Sequence, residues 1–357
     1  MPLLFLGDYL YDYDVCPPDL ARLGQYFQQN NDRVVLNLEG SIKCYEPDNL
    51  EEPIYQNETF APVLKQLNTV AVSLANNHTM DGGADGLSRL INALDEQQIT
   101  HVGAGPNLAA ATQLRILSEA GKRIGLLAFG WRVEECIAAT SRRAGVAPLD
   151  DKLVLQTIRQ NRALVDCLII CFHWGYEYEL LPLPVHRQLA HKAIEAGADL
   201  IIGHHPHVIQ AIETFRGKQI YYSLGNFYFG SRREDFTTLN PTAEKHSQIG
   251  LGVRLSIGAS IETKPVFFRY KSKQTEICDG GPAFEDISAI PLSTYNSYFQ
   301  LRRQTDWRPT LYAGTLQRPL NQVRLLKFAL RTRAIALLKT AGMYHWMKHI
   351  REMWRLS

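Results

Sequence analysis

No apolar run in this sequence approaches the roughly 20 residues that a membrane-spanning helix needs. The best of them, Cys167 to Phe172, has the length of a strand. The opening Met1-Pro2-Leu3-Leu4-Phe5-Leu6 has no basic stretch and no small-residue cleavage site, which argues against a secretory leader. Six cysteines are scattered through 357 residues and fit no metal-binding spacing. Cys167 and Cys171 on one strand would lie about 13 Å apart at about 3.3 Å per residue, too far for a bridge. The expected compartment is therefore the reducing cytoplasm. Apolar residues at 45% and charged residues at 21% exclude disorder, collagen and coiled coil as the main architecture. The length suggests about two domains, or one large α/β domain with an appendage.

Charge of one sign is short in the body and concentrated at the end. The net charge is +2, but residues 318–357 hold nine cations against the single acid Glu352, so they carry +8 and residues 1–317 carry −6. Val323, Leu326, Leu330, Leu337 and Ala341 fall on one face of a helical pattern, and Trp346, Ile350 and Met353 follow beyond Gly342. A basic amphipathic tail suits either packing on the body or lying on an anionic membrane leaflet, here the inner face of the cell membrane. Nucleic acid is not an expected partner, because the body is acidic and no recognition motif appears.

The first 230 residues repeat one rhythm. A short apolar run ends in a polar cluster, and a helical pattern usually follows. Leu3–Leu6 ends at Gly7-Asp8, Val34–Leu38 at Glu39-Gly40, and Thr69–Leu74 at Asn76-Asn77-His78 before the amphipathic stretch 84–98. Arg123–Ala128 ends at Phe129-Gly130. Leu168–Phe172 ends at His173-Trp174-Gly175 before the helical stretch 185–196. Leu200–Ile202 ends at Gly203-His204-His205-Pro206-His207, and Gln219–Leu224 at Gly225-Asn226. Continuous apolar strands alternating with helices describe buried, largely parallel strands, with the site beyond their carboxyl ends. After about residue 250, segments 251–256 and 264–270 read as antiparallel strands, and residues 271–317 as irregular connection.

Two imidazoles two positions apart, His205 and His207, can face one ion, with Pro206 stiffening the loop between them. Alone this is a weak signal, and a polar loop after a strand is the ordinary reading. The other strand ends change the odds. Asp8, Glu39, Asn77, His78 and His173 each follow an apolar run at the same edge of the inferred sheet. Carboxylates, imidazoles and an amide oxygen without thiolate form a ligand set suited to Mn²⁺, Fe or Zn²⁺. A shared carboxylate can bridge two divalent ions about 3.5–4 Å apart. Around this set, Asp81 can hydrogen-bond His78 or cap a helix before Gly82-Gly83. Glu177 can orient His173 or a substrate amine, or be an ordinary loop residue. Trp174 and Tyr176 can stack on a sugar or pack beside the sheet, and Asn226 stands where a polar group reaches substrate.

Five blocks together resemble the bacterial capsule-synthesis CapA family, of the poly-γ-glutamate synthesis type, within the calcineurin-like metallophosphatase superfamily. They are Gly7-Asp8, Asn37-Leu38-Glu39, Ala75-Asn76-Asn77-His78 with Asp81 and Gly86-Leu87, His173-Trp174-Gly175-Tyr176-Glu177, and Gly197-Ala198-Asp199 through His207. Tyr222 through Phe227 closes the series, 103–108 also fits, and the likeness covers about residues 3–270. The resemblance implies a four-layer α/β/β/α sandwich over 1–270 with a dinuclear centre at the strand ends. Asp8 would bind the first ion, Glu39 would bridge, Asn77 and His173 would bind the second, and His205 and His207 would take one ion each. His78 matches the histidine that steadies a leaving group. His204 occupies a glycine position of the superfamily motif and falls outside the ligand set, on the substrate side. The superfamily's first motif, Asp-x-His, is absent because position 10 is Leu, so the first ion loses an imidazole, and such a site is weaker, recruits Asp12, or holds only one metal.

Two readings of function follow. One is a metal-dependent hydrolase acting on a phosphoester, or a related ester or amide, in capsule, exopolysaccharide or poly-γ-glutamate synthesis. The other is a non-catalytic accessory subunit that binds metal or polymer and scaffolds a membrane-bound polymer synthase. The missing Asp-x-His favours the second, and the intact Asn77-His78 pair the first. A TIM-barrel amidohydrolase fails on order, since that class places its His-x-His after the first strand.

Overall fold

All eight residues of the first strand, β1 (Leu3–Leu10), are buried, and a strand covered on both faces has to lie inside a layered sheet. The computed structural model describes residues 1–44, 53–134, 136–230, 246–258, 260–271, 274–282 and 285–305. From β1 the chain runs through α1 (Pro18–Gln29), β2 (Arg33–Leu38), α2 (Phe60–Gln66), β3 (Thr69–Ser73), α3 (Gly83–Glu96) and β4 (Thr100–Val102). These four strands are parallel neighbours joined by helices, the arrangement that right-handed crossovers produce. A short pair, β5 (Ala104–Gly105) with β8 (Gly145–Val146), and helix α4 (Leu108–Ala111) flank the passage to the second sheet. That sheet contains β6 (Arg115–Glu119), β7 (Lys122–Gly130), β9 (Cys167–His173), β10 (Leu200–His204), β11 (Ile212–Phe215) and β12 (Lys218–Tyr221), with helices α5 (Asp151–Asn161) and α6 (Pro184–Ala196) between them. The chain then returns to the first sheet through β13 (Asn226–Phe229), β14 (Ile249–Ile257), β15 (Ile261–Lys271) and β16 (Gln274–Cys278), and ends its described part in α7 (Leu292–Thr305).

Side-chain alternation along the second sheet shows how the layers stack. Ile124, Leu126, Ala128, Ile169, Cys171, Leu200 and Ile202 share one apolar cluster with the strands of the first sheet. Their sequence neighbours Leu127, Phe129, Leu168, Ile170, Phe172 and Ile201 belong to another, with residues of α5, α6 and α7. Successive residues of a strand point to opposite faces, so the second sheet is covered by the first sheet on one side and by helices on the other. Helices α1 to α3 cover the far face of the first sheet through Leu20, Leu23, Phe27, Phe60, Leu64, Leu87 and Leu90. The molecule is a mixed α/β structure with the four layers α/β/β/α.

Within 271–317, for which an irregular connection is expected, the described residues 274–282 and 285–305 contain regular elements, and residues 306–317 lie outside the described part. β16 extends the first sheet as far as Cys278, and α7 buries Tyr295 and Phe299 in the helix-side cluster. Its sequence, rich in Ser, Thr, Asn and Tyr, carries little helical signal, so its conformation follows from what it packs on. Buried Arg187 of α6 donates to Glu213 at 2.6 and 3.0 Å, to the Ile287 and Ile290 carbonyls, and lies over the Tyr295 ring. Removing one partner of such a pair strands a buried charge, which costs about 3–5 kcal/mol. The basic tail 318–357 lies outside the described residues. Among the described residues, no helix is long and apolar enough to cross a membrane. All six cysteines are free thiols, and burial pushes Cys167 and Cys171 up to about 12.

Candidate metal centre

The edge of β1 is shared. Its first half pairs with antiparallel β14 at Leu3 to Phe5, and its second half with parallel β13 from Asp8 onward. The exchange passes Gly7, where a Cβ would stand 1.9 Å from the Gly225 carbonyl oxygen, so only glycine lets the two chains approach. This register sets Asp8 between Asn37 of β2 and Asn226 of β13. Glu39 follows β2 directly, fully buried, with its N–H donating to the Tyr9 carbonyl at 2.9 Å and its carbonyl accepting from Gln56 Nε2. Gly40, at φ +112°, then turns the chain away.

His205 and His207 adopt positive φ, 97° and 57°, where non-glycine residues are strained by about 1–3 kcal/mol each. The strain is held by two contacts across Pro206: Tyr178 N–H donates to its carbonyl at 2.8 Å, and His205 N–H donates to Asp8 Oδ2 at 3.3 Å. The loop thereby turns His207 onto the carboxylates. Ligand atoms of Asp8, Glu39 and His207 all lie within 4.8 Å of one another, and all three residues are buried. His207 Nδ1 lies 3.4 Å from Asp8 Oδ2 and donates to Asn226 Oδ1 at 2.8 Å. That leaves the lone pair on Nε2, which faces Glu39 Oε1 at 3.9 Å and is the form a metal requires.

A second group adjoins this one. His173, at the end of β9, places Nε2 2.8 Å from Asn77 Oδ1, and its ring centre is 4.8 Å from that of His205. The His205 ring is 5.9 Å from His207, so the six expected ligands are gathered at one strand edge as an acidic trio beside a neutral trio. Burial shifts Asp8, His207 and His173. It pushes Asp8 up to about 7, against the Asn37 hydrogen bond and the neighbouring His205, which pull it down. It pushes His207 down to about 3, with His205 adding to the effect, and His173 well below the usual imidazole range. Two sealed carboxylates beside neutral imidazoles fit a divalent cation, whose charge replaces the lost hydration.

Next to Asn77, partly exposed His78 donates from Nδ1 to Asp81 Oδ2 at 2.7 Å, and the same oxygen accepts the Ile54 N–H at 2.8 Å. Asp81 is thus pinned by backbone and in turn orients the His78 ring.

Other expectations meet a different geometry. Asn226, a candidate for substrate contact, accepts from His207 Nδ1 at 2.8 Å through its Oδ1. His204 is buried between the sheets, pushed down to about 4 by that burial, with Nε2 3.2 Å from the Leu6 carbonyl. That position spaces the layers and is not open to substrate. Glu177 is half-buried on the loop after β9, beside Tyr178. Trp174 is 1% exposed, stacked on Phe172 and His186, and is therefore packing. Leu10 fills the place of the absent imidazole and packs with Ile54, Tyr178, Val208 and Phe229. Asp12 stands beside Gly230 and is not among the three residues whose ligand atoms converge. One site residue went unread: Asn37, whose Nδ2 donates to Asp8 Oδ1 at 2.8 Å. Its signal was present, since an amide inside the apolar run Val34–Leu38 is buried and has to find partners.

With this geometry in place, likeness to known proteins becomes informative. The chain is 35% identical over 203 residues to the "PGA biosynthesis protein CapA" of Bacillus subtilis, covering 56% of this chain and 53% of that protein. It is 33% identical over 177 residues to a "probable polyglutamine synthesis accessory protein" of Mycobacterium tuberculosis, covering 46% of each. It thus spans about half the length of the curated relatives it matches. Among solved structures, a 5'-nucleotidase precursor from Thermus thermophilus aligns with a TM-score of 0.47 at 11% identity, covering 85% of this chain and 58% of that one. The family model for the bacterial capsule synthesis protein PGA_cap matches residues 6–231, more than half of the sequence, and the chain belongs to that family.

Proposed function

We propose that the protein is a metal-dependent hydrolase acting on a phosphoester, or a related ester or amide, during synthesis of a capsule, exopolysaccharide or poly-γ-glutamate polymer. The observation that carries this reading is the buried convergence of Asp8, Glu39 and His207 next to Asn77, His173 and His205. Asp8, Glu39 and His207 would hold one divalent ion, and Asn77, His173 and His205 a second, with Glu39 shared; Mn²⁺, Fe and Zn²⁺ all suit the donor set. Such ions polarise a substrate oxygen and make a water acidic. The chain supplies the rest. Asp81 accepts the His78 Nδ1–H, and as an imidazolium paired with that carboxylate His78 would carry on Nε2 a second proton to give to a leaving group, returning to the neutral Nδ1–H form. Asn226 fixes His207 in the tautomer that offers Nε2. A screen of phosphomonoesters and phosphodiesters with added Mn²⁺ tests this: turnover that disappears with chelator is expected, and a loaded protein inert on every substrate would remove the hydrolase reading.

One observation favours a second reading. Leu10 removes an imidazole from the acidic trio, and one relative bears the name of a synthesis accessory protein. In that reading the same residues bind metal or polymer while the chain serves a membrane-bound synthase, and the inert outcome above supports it. Either way, the +8 charge of residues 318–357 suits the anionic inner face of a membrane. Deleting them should abolish sedimentation with anionic vesicles at low salt, and a full-length protein that ignores such vesicles would exclude the membrane role.

A further inference from the structure

Asn37 is fully buried inside β2, and its carboxamide reaches both groups of candidate ligands. Nδ2 carries two hydrogens and faces two acceptors, Asp8 Oδ1 at 2.8 Å and His173 Nδ1 at 3.4 Å. Its Oδ1 lies 3.4 Å from Asn76 Nδ2, and Asn76 is itself held: its Nδ2 donates to the Leu38 carbonyl at 2.7 Å, and its Oδ1 accepts from Thr79 at 2.9 Å. The Leu38 carbonyl thus fixes the Asn76 amide, whose second hydrogen faces Asn37 Oδ1 and sets which way Asn37 points, while the Thr79 hydroxyl has a nearer acceptor in the Leu74 carbonyl at 2.6 Å.

We infer that Asn37 is a positioning residue that ties Asp8 to His173, one candidate ligand from each group, in a single defined orientation. The inference rests on the metal reading above for its functional consequence and on hydrogen-bond geometry for its substance. For Asp8, Oδ1 accepts from Asn37 and Oδ2 from the His205 N–H at 3.3 Å, with Oδ2 also 3.4 Å from His207 Nδ1, so the carboxylate is held at both oxygens in one orientation. For His173, an Nδ1 that accepts from Asn37 places the ring proton on Nε2, where it is donated to Asn77 Oδ1 at 2.8 Å. The metal-free ring is then one tautomer, closed onto Asn77. Were His173 to serve as a ligand through Nε2, that proton would have to leave.

Nitrogen-15 NMR of the selectively histidine-labelled, metal-free protein reads the tautomer directly. His173 should be a single Nε2–H form in the wild type and an average of both forms in Asn37→Ala. Asn76→Ala, which keeps Asn37 but frees its amide, should show part of the same averaging. Calorimetry with Mn²⁺ should show Asn37→Ala binding 10- to 100-fold more weakly, the range typical of residues that orient ligands. A wild-type His173 that is averaged or Nδ1–H overturns the inference, as does Asn37→Ala binding Mn²⁺ as tightly as the wild type. If the wild type binds no Mn²⁺, the metal reading falls and the tautomer decides the inference alone. If Asn37→Ala does not fold, the wild-type tautomer and Asn76→Ala decide it.

Discussion

The two trios at the strand edge are built from the same kind of element and differ in charge. Asp8, Glu39 and His207 bring two carboxylates, and their ligand atoms already converge within 4.8 Å. Asn77, His173 and His205 bring no carboxylate, and two of them are closed on each other by a hydrogen bond. Beside the acidic trio, Leu10 packs in an apolar wall with Ile54, Tyr178, Val208 and Phe229. The other trio adjoins His78 and Asp81. The carboxylates are therefore gathered in one trio, and the other offers only imidazole and amide donors. A shared Glu39 is what would let one ion serve the other.

The largest effect should fall beside the neutral trio. His78→Ala should keep its metal and lose about 10²- to 10⁴-fold in turnover, because it removes a proton donor and no ligand. The loss should shrink on nitrophenyl substrates, whose leaving group needs no proton; equal losses on all substrates, or loss of metal, would make His78 a ligand or a structural residue. Next come the ligands themselves, read by calorimetry. Asp8→Ala should weaken binding by more than about a hundredfold and Asn77→Ala by about tenfold, since only the first removes a charge from a buried site. The reverse order would break the contrast between the trios. Leu10→His restores the absent imidazole. It should tighten binding by about tenfold while costing the metal-free protein about 1–3 kcal/mol, because an unpaired ring is buried among Tyr178, Val208 and Phe229.

The smallest effect is in pH. His207, His204 and His186 are held at about 3 to 4 by burial, below the ordinary imidazole value. A depressed pKa means that stability is lost as pH falls from about 6.5 toward 3. Asp8, raised to about 7, works in the opposite sense, losing stability as pH rises from about 4 to 7. Three imidazoles outweigh one carboxylate, so the metal-free melting temperature should fall between pH 7 and pH 4. Asp8→Asn removes the opposing group and should steepen that fall; an unchanged slope would mean that Asp8 is ionised throughout.

Much of the fold could be read from strand ends because buried parallel strands write continuous apolar runs. The expected helix at 185–196 is Pro184–Ala196, and the run 168–172 is the middle of β9. Asp8 was expected just past its strand and lies inside it, because β13 prolongs the pairing where β14 leaves. The helix α7 was illegible, since its conformation comes from burying Tyr295 and Phe299 against α6 rather than from its own pattern. At the site, residue types placed the ligands but not their orienting partners. Asn226 and Asn37 look alike in sequence as amides near strand ends, and only register shows that one serves His207 and the other ties Asp8 to His173.

The most direct test is elemental analysis of the purified full-length protein, followed by Mn²⁺ titration of the wild type, His205→Ala and His207→Ala. The wild type is expected to carry divalent metal, with each variant losing it from its own trio and weakening by well over tenfold. A wild type that neither carries nor takes up metal, or variants that retain full occupancy, would contradict the metal centre itself.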